Sequence, residues 1–254
     1  MKAMILAAGL GTRLRPLTDH RPKALVEIDG RTLLEITLAR LRTYDIREVI
    51  VNVHHFADMV MEYLRAHANF GMHVEISRED ELLDTGGGLK RAAEFFLRDG
   101  TEEPFLLHNV DVLSSIDMGE MVRWHRERGA LATLAVKQRE SSRQLLFDGE
   151  ARLCGRRNGR GSAAEMLHNV EVAEELAFCG VHVLSPKILV RMDPTESFPI
   201  IPTYLRLAGE GEKVVAFRVD GCYWRDVGTS ASLQEAVGDL KRGAIPGLSS
   251  GGAS

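Results

Sequence analysis

Short apolar runs alternate with amphipathic helical patterns along this chain, and that alternation limits the fold more than any other feature. Residues 3–8, 48–53, 73–76, 105–109, 131–136 and 178–184 read as strands, several of them apolar on consecutive positions and therefore expected to be buried on both faces. Between them, residues 33–44, 57–67, 88–97 and 118–128 carry apolar side chains at helical spacing. Repetition of strand, helix and strand predicts an α/β fold, a three-layer α/β/α sandwich with a mostly parallel central sheet. In such sheets ligands bind beyond the carboxyl ends of the strands, so the loop after the first strand is placed to hold one.

With 254 residues, 44% of them hydrophobic, the chain can bury a full core as one domain, expected over residues 1–242. Residues 243–254, mostly glycine, serine, alanine and proline, read as a disordered tail. There is no internal repeat. A net charge of −4 argues against nucleic acid or a membrane surface as partner. Cys154, Cys179 and Cys222 are odd in number and widely spaced with no C-x-x-C, which argues against a disulfide framework or zinc site and suits a reducing compartment. The apolar stretch before Gly9 is too short for a signal segment, and no run approaches the ~18–20 residues of a membrane span. A cytoplasmic protein is expected, of open oligomeric state.

The loop after the first strand, residues 9–31, sets Arg13, Arg15, Arg21 and Lys23 among glycines and prolines. Glycines let backbone N–H groups approach an anion, and the cations neutralise it, so the segment reads as a polyphosphate cradle. It is not a dinucleotide fingerprint, because Gly9-Leu10-Gly11-Thr12-Arg13-Leu14 lacks the third glycine, and the chain has no Walker A loop.

Three further segments carry candidate chemistry. His108-Asn109-Val110-Asp111 ends a strand in an acid that would project over the sheet's carboxyl edge; taken alone, an aspartate capping the next turn is the simpler reading. Trp224-Arg225-Asp226-Val227-Gly228-Thr229 offers a second acid, and Thr229 or Ser230 suits a helix N-cap. Leu83-Asp84-Thr85-Gly86-Gly87-Gly88 reads as a glycine-rich helix start.

Together, G-x-G-T-R, Pro22-Lys23, Asn109-x-Asp111 and Trp224-x-Asp226-x-Gly228-Thr229 resemble the signature of the sugar-1-phosphate nucleotidyltransferases. The resemblance covers residues 1–238. It is nearest the single-domain branch that contains N-acetylmuramate-1-phosphate uridylyltransferase and related hexose- or heptose-1-phosphate enzymes. It implies a Rossmann-like nucleotidyltransferase fold and Mg²⁺ held by Asp111 and Asp226. A nucleoside triphosphate would lie against Leu6, Ala7, Ala8, Gly9, Gly11, Thr12, His54, Thr85 and Gly86, and the sugar near Asn109 and Gly180. The chain departs from the family pattern at Val110, where glycine or serine is usual, and at Asp84, where glutamate is commoner.

A sugar 1-phosphate is already an ionised nucleophile, so catalysis is expected to rest on positioning and electrostatics. Arg13 is assigned to the phosphates that leave as pyrophosphate, and Lys23 to the transition-state charge and the incoming phosphate. UTP with N-acetylmuramate 1-phosphate is the preferred substrate pair, and GTP with mannose or heptose 1-phosphate the alternative. The basic segment from Gly155 to Gly161 reads first as a solvated hairpin and second as a flap over the sugar phosphate. Arg143, Arg156, Arg157 or Arg160 would offer a cation to a sugar carboxylate. A non-catalytic nucleotide-sugar sensor would have no reason to keep both cations and both acids. A glycosyltransferase would carry D-x-D, whereas Asp111 is followed by Val112-Leu113.

Overall fold

The structure is a computed structural model that describes residues 1–159, 161–192 and 195–245. In chain order its first elements are β1 (Lys2–Leu6), β2 (Glu27–Ile28), β3 (Arg31–Thr32), α1 (Leu33–Thr43), β4 (Glu48–Val53), α2 (Ala57–Ala66), β5 (His73–Arg78) and α3 (Asp84–Arg91). There follow α4 (Ala93–Leu97), β6 (Phe105–Asn109), β7 (Val112–Ser114), α5 (Met118–Arg128), β8 (Ala132–Lys137), β9 (Arg143–Phe147) and β10 (Leu153–Asn158). The chain closes with β11 (Glu165–Met166), β12 (Glu174–Leu184), α6 (Ile200–Gly209), β13 (Val214–Arg218), β14 (Trp224–Asp226) and α7 (Ser230–Lys241). The class is α/β, with a mixed, mostly parallel central sheet flanked by helices, as the alternation implies.

The chain divides into two compact units. One comprises Met1–Asp84, His108–Ile116 and the described residues from Cys222 onward; the other comprises Thr85–Leu107 and Asp117–Gly221. In the first unit β1, β4 and β5 run parallel, with Leu6 opposite Asn52 and Val53 opposite Arg78. Ala3, Met4 and Ile5, and Val49, Ile50 and Val51, are buried at consecutive positions, the mark of strands covered on both faces. Helix α1 begins where Thr32 Oγ1 accepts the Glu35 N–H at 3.1 Å. At the far end of the chain Thr229 and Ser232 form a reciprocal capping box for α7. Gly243 then turns the backbone with φ +66°, and Ile245 is buried. Of the expected tail, residues 246–254 lie outside the described residues.

In the second unit β12 is antiparallel to both β8 and β9, β10 is antiparallel to β9, and β13 runs parallel to β8. Strands β9 and β10 form a hairpin, with Leu145, Leu146, Phe147, Leu153 and Cys154 buried. A register shift between Leu153 and Gly155 breaks the alternation there and hides the second strand from a period-two reading. The expected helix over 88–97 is corrected: α3 starts at Asp84, takes in Gly86, Gly87 and Gly88, and a separate α4 follows. The Phe198 carbonyl accepts the Gly86 and Gly87 N–H groups at 2.9 and 3.2 Å, so a tertiary contact carries a glycine run that propensity would reject.

Candidate active site

The cradle loop is fixed from behind. As β1 ends, the Ala7 N–H donates to Asn52 Oδ1 at 2.8 Å, and Asn52 Nδ2 donates to Glu79 Oε1 at 2.7 Å. The second Glu79 oxygen accepts the Leu83 N–H at 3.0 Å, and the Glu79 carbonyl meets His54 Nδ1 at 2.9 Å. Asn52 is 3% and Glu79 2% exposed, so this chain of bonds is costly to break. It ties Ala7, Asn52, His54 and Leu83 into one frame.

Beyond the frame the loop turns at Gly11, whose φ of +65° favours glycine and whose carbonyl accepts from Thr18 Oγ1 at 2.8 Å. A single 3-10 turn, Thr12–Leu14, buries Leu14 and leaves Thr12 and Arg13 exposed. A second 3-10 turn, Lys23–Leu25, follows Pro22 and buries Ala24 and Leu25, while Lys23 stays half-buried.

Two acids join this loop through strand pairing. Strand β14 pairs antiparallel with β7, setting Asp226 opposite Val112, the residue after Asp111, and the Val227 N–H donates to the Asp111 carbonyl at 2.9 Å. The Val110 N–H donates to the Leu6 carbonyl at 3.1 Å, which anchors the acid-bearing turn to the end of β1. Val110 itself is buried, so the departure from glycine or serine is absorbed by the core. The Lys23 ammonium forms an ion pair with Asp111 across 88 residues of chain, the two side chains being 12% and 13% exposed.

Gly228 explains the spacing Trp224-x-Asp226-x-Gly228. Its N–H donates to Asp226 Oδ1 at 2.7 Å. A Cβ at Gly228 would lie 2.5 Å from that oxygen and 2.7 Å from Arg13 Nη2. Glycine therefore lets the guanidinium of Arg13 and the carboxylate of Asp226 close on one point. The cap of α5 is Asp117, which accepts the Glu120 N–H at 2.9 Å.

The first unit thus brings together Leu6, Ala7, Ala8, Gly9, Gly11, Thr12, Arg13, Lys23, His54, Asn109, Asp111 and Asp226. Thr85, Gly86 and Gly180 belong to the second unit. There Thr85 Oγ1 accepts the Ile200 N–H at 3.0 Å, and the Phe198 ring lies where a Cβ on Gly86 would stand, 2.3 Å from its nearest carbon. Gly180 has φ +74° within the bulge where β12 slips against β8.

The remaining loop cations are spent at the surface, Arg15 on Asp19 at 3.3 Å and Arg21 on Glu27 at 3.6 Å. In the basic hairpin Arg156 pairs with Glu165 at 2.7 Å and Arg157 with Glu175 at 2.9 Å. Arg160 lies outside the described residues. Sequence reasoning missed Glu79 altogether, since Arg78-Glu79-Asp80 looks like a solvated charge run; burial of the middle member is visible only in three dimensions.

Residues 2–145 match the family model described as nucleotidyl transferase. The chain is 36% identical, over 89% of its length and 91% of the relative's, to N-acetylmuramate alpha-1-phosphate uridylyltransferase of Caulobacter vibrioides. It is 29% identical to mannose-1-phosphate guanyltransferase of Yarrowia lipolytica, spanning 90% of this chain and 61% of that one. Among solved structures, HddC from Yersinia pseudotuberculosis complexed with GMP-PN superposes with a TM-score of 0.73 at 20% identity, over 94% of this chain and 98% of the other. A putative glucose-1-phosphate thymidylyltransferase from Bacillus anthracis reaches 0.75 at 16% identity, over 94% of each chain. These neighbours establish the Rossmann-like fold. The family match and the relatives establish that this chain belongs to the nucleotidyl transferase family and is a sugar-1-phosphate nucleotidyltransferase.

Proposed function

We propose that the chain transfers a nucleoside monophosphate from UTP to N-acetylmuramate 1-phosphate or a related hexose 1-phosphate, releasing pyrophosphate, in a Mg²⁺-dependent reaction. The observation that carries this reading is the meeting of Lys23 with Asp111, beside an Asp226 carboxylate that shares its corner with Arg13. Two cations for phosphate and two acids for a metal are what the reaction requires. The uracil and muramate assignments rest on the Caulobacter relative, which is matched along nine-tenths of both chains.

Among the described residues no group of three or more His, Cys, Asp or Glu is arranged to hold a metal. Two carboxylates nevertheless fit Mg²⁺, which commonly takes one or two from protein and fills its shell with water and substrate phosphate. The pairing of Asp111 with an ammonium also marks that carboxylate as placed to face positive charge. Bound there by Asp111 and Asp226, Mg²⁺ would supply charge neutralisation at the reacting phosphate.

The protein's own residues do the rest. Backbone around Gly9 and Gly11 admits the polyphosphate, and Arg13, exposed at the 3-10 turn, holds the phosphates that depart. Lys23, pinned by Asp111, is aimed where charge develops and needs no reorganisation as the bond forms. The sugar phosphate attacks as an anion, so no general base is assigned. His54 and the Asn52–Glu79 frame hold the loop to which the nucleotide binds, Thr85 and Gly86 serve the base, and Asn109 and Gly180 serve the sugar.

Residues 1–242 serve this one activity. The reaction is assigned to the cytoplasm; no helix of the described residues is long and apolar enough to cross a membrane. The test is a matrix of UTP, GTP, dTTP and CTP against N-acetylmuramate, glucose, mannose and heptose 1-phosphates, read by pyrophosphate release with and without Mg²⁺. UTP with N-acetylmuramate 1-phosphate is expected to be fastest. A GTP–mannose optimum would replace the substrate assignment, and nucleotide-sugar binding without pyrophosphate release from any pair would leave a sensor.

A further inference from the structure

Asp226 ends a strand of three residues, β14, whose partner in a two-stranded sheet is the equally short β7. Two-stranded pairs are marginal in water by themselves. For the acid, register matters more than stability. Side chains alternate across a strand, so a slip of one residue would exchange the faces of β14 and bring Arg225 to where Asp226 stands. A guanidinium would then replace a carboxylate next to the Asp111 turn. Backbone bonds extend the pair at each end, from the Val227 N–H to the Asp111 carbonyl and from the Ser115 N–H to the Tyr223 carbonyl, both at 2.9 Å. Backbone groups are alike at every residue, so these bonds do not tell one register from the next.

A side chain on α7 does. Asp239 is 6% exposed, and its Oδ2 accepts from the Tyr223 hydroxyl at 2.8 Å and from Arg225 Nε and Nη2 at 2.9 and 2.7 Å. Tyr223 and Arg225 stand two residues apart, so they share the face of the strand opposite to that of Trp224 and Asp226. A buried carboxylate that takes charge-assisted bonds from that face holds it in one orientation. Glu235, one turn earlier on α7, pairs with Arg225 through Nη1, and Arg242 reaches the other Asp239 oxygen at 2.6 Å.

Helix α7 is itself fixed where it begins, by the Thr229–Ser232 capping box that follows the Asp226–Gly228 turn. The acid therefore lies inside a closed ring. The chain leads from Asp226 through Gly228 into α7, and Asp239 leads from α7 back to β14.

We propose that Asp239 is a positioning residue that fixes the register of β14 on β7 and so presents Asp226, not Arg225, to the phosphate site. Its bearing on catalysis rests on the proposed nucleotidyl transfer, whereas the register lock does not.

Amide hydrogen exchange on the full chain reads the lock without any substrate. In Asp239→Ala the amides of β14 and of Val227 are expected to exchange at least tenfold faster than in the wild type, while those of β1 and β4 stay within twofold. Arg225→Met leaves Asp239 bonded to Tyr223 and Arg242, so it should fold even if Asp239→Ala does not; the same amides should exchange at least fivefold faster. Pyrophosphate release from UTP and N-acetylmuramate 1-phosphate reads the consequence. The half-saturating Mg²⁺ concentration should rise at least fivefold in both variants, with KM for the sugar phosphate within twofold. Arg242→Gln frees only the oxygen that β14 does not use, and it should leave exchange and kinetics within twofold of the wild type. Wild-type exchange at β14 in either variant, or uniform acceleration along the whole chain in Arg225→Met, would overturn the lock. Faster local exchange at an unchanged Mg²⁺ requirement would overturn its bearing on catalysis alone. A wild type that releases no pyrophosphate would overturn the nucleotidyl-transfer reading and leave the exchange result to decide the lock.

Discussion

Residues 9–25 and residues 155–161 are both built from glycine and cationic side chains, yet their cations end in different company. In the hairpin Arg156 and Arg157 are answered by Glu165 and Glu175, the first directly across the β10–β11 pairing and the second on β12. In the loop, Arg15 and Arg21 are answered just as locally, by Asp19 and Glu27. Lys23 is not: its acid, Asp111, comes from a turn 88 residues away, while the Arg13 guanidinium and the carboxylate of Asp226, the last residue of β14, both approach Gly228, and the β7–β14 pairing sets Asp226 opposite the residue after Asp111. Cationic composition is common to both segments. Only one of them meets carboxylates from remote parts of the chain, and the proposed phosphate site rests on that difference.

The comparison can be broken at each end. Lys23→Ala and Asp111→Ala should each lower turnover by about a hundredfold or more, ~3 kcal/mol of transition-state stabilisation, with an unchanged circular dichroism spectrum. Pyrophosphate release near the wild-type rate from either purified variant would remove the loop's special status. Gly228→Ala comes next, since its methyl would collide with Asp226 Oδ1 and the Arg13 guanidinium. A loss of about tenfold in kcat/KM, ~1.4 kcal/mol, with little change in Tm is expected, and steady-state kinetics with thermal melts would check it.

Glu79→Ala should act through the frame rather than the chemistry. Asn52 Nδ2 and the Leu83 N–H lose their acceptor, costing about 1–3 kcal/mol of stability in urea unfolding, and KM for the triphosphate should rise more than kcat falls. Arg156→Ala and Arg157→Ala should be the mildest, each within ~1 kcal/mol of stability and within about twofold in turnover, because their partners are exposed neighbours. A tenfold loss of sugar-phosphate affinity in either would revive the flap reading of the hairpin.

Much of this was legible in the linear sequence. The strands at 48–53 and 105–109 and the helix at 118–128 carry their periodicity within their own residues, and they stand where that periodicity places them. Lys23, Asp111 and Asp226 were legible as motif members. Their convergence was not, because it depends on the register of a three-residue antiparallel pair, β7 with β14, too short to show a pattern. Glu79 was illegible for a related reason: a buried acid and a surface acid are the same letter until Asn52 and Leu83 are seen to bond it. The glycine run at 86–88 was legible as a helix start, and α3 does begin at Asp84; what the letters did not show is the Phe198 carbonyl that accepts the Gly86 and Gly87 N–H groups there.

The central claim is that Asp226, drawn beside Asp111 by that strand pair, belongs to the nucleotidyl-transfer centre. Asp226→Asn changes charge and little else in size, so the most direct measurement is Mg²⁺-dependent pyrophosphate release from UTP and N-acetylmuramate 1-phosphate by the wild-type chain and this variant. The account predicts robust release by the wild type and a loss of a hundredfold or more in the variant at an unchanged Tm. Equal rates from the two proteins would contradict it.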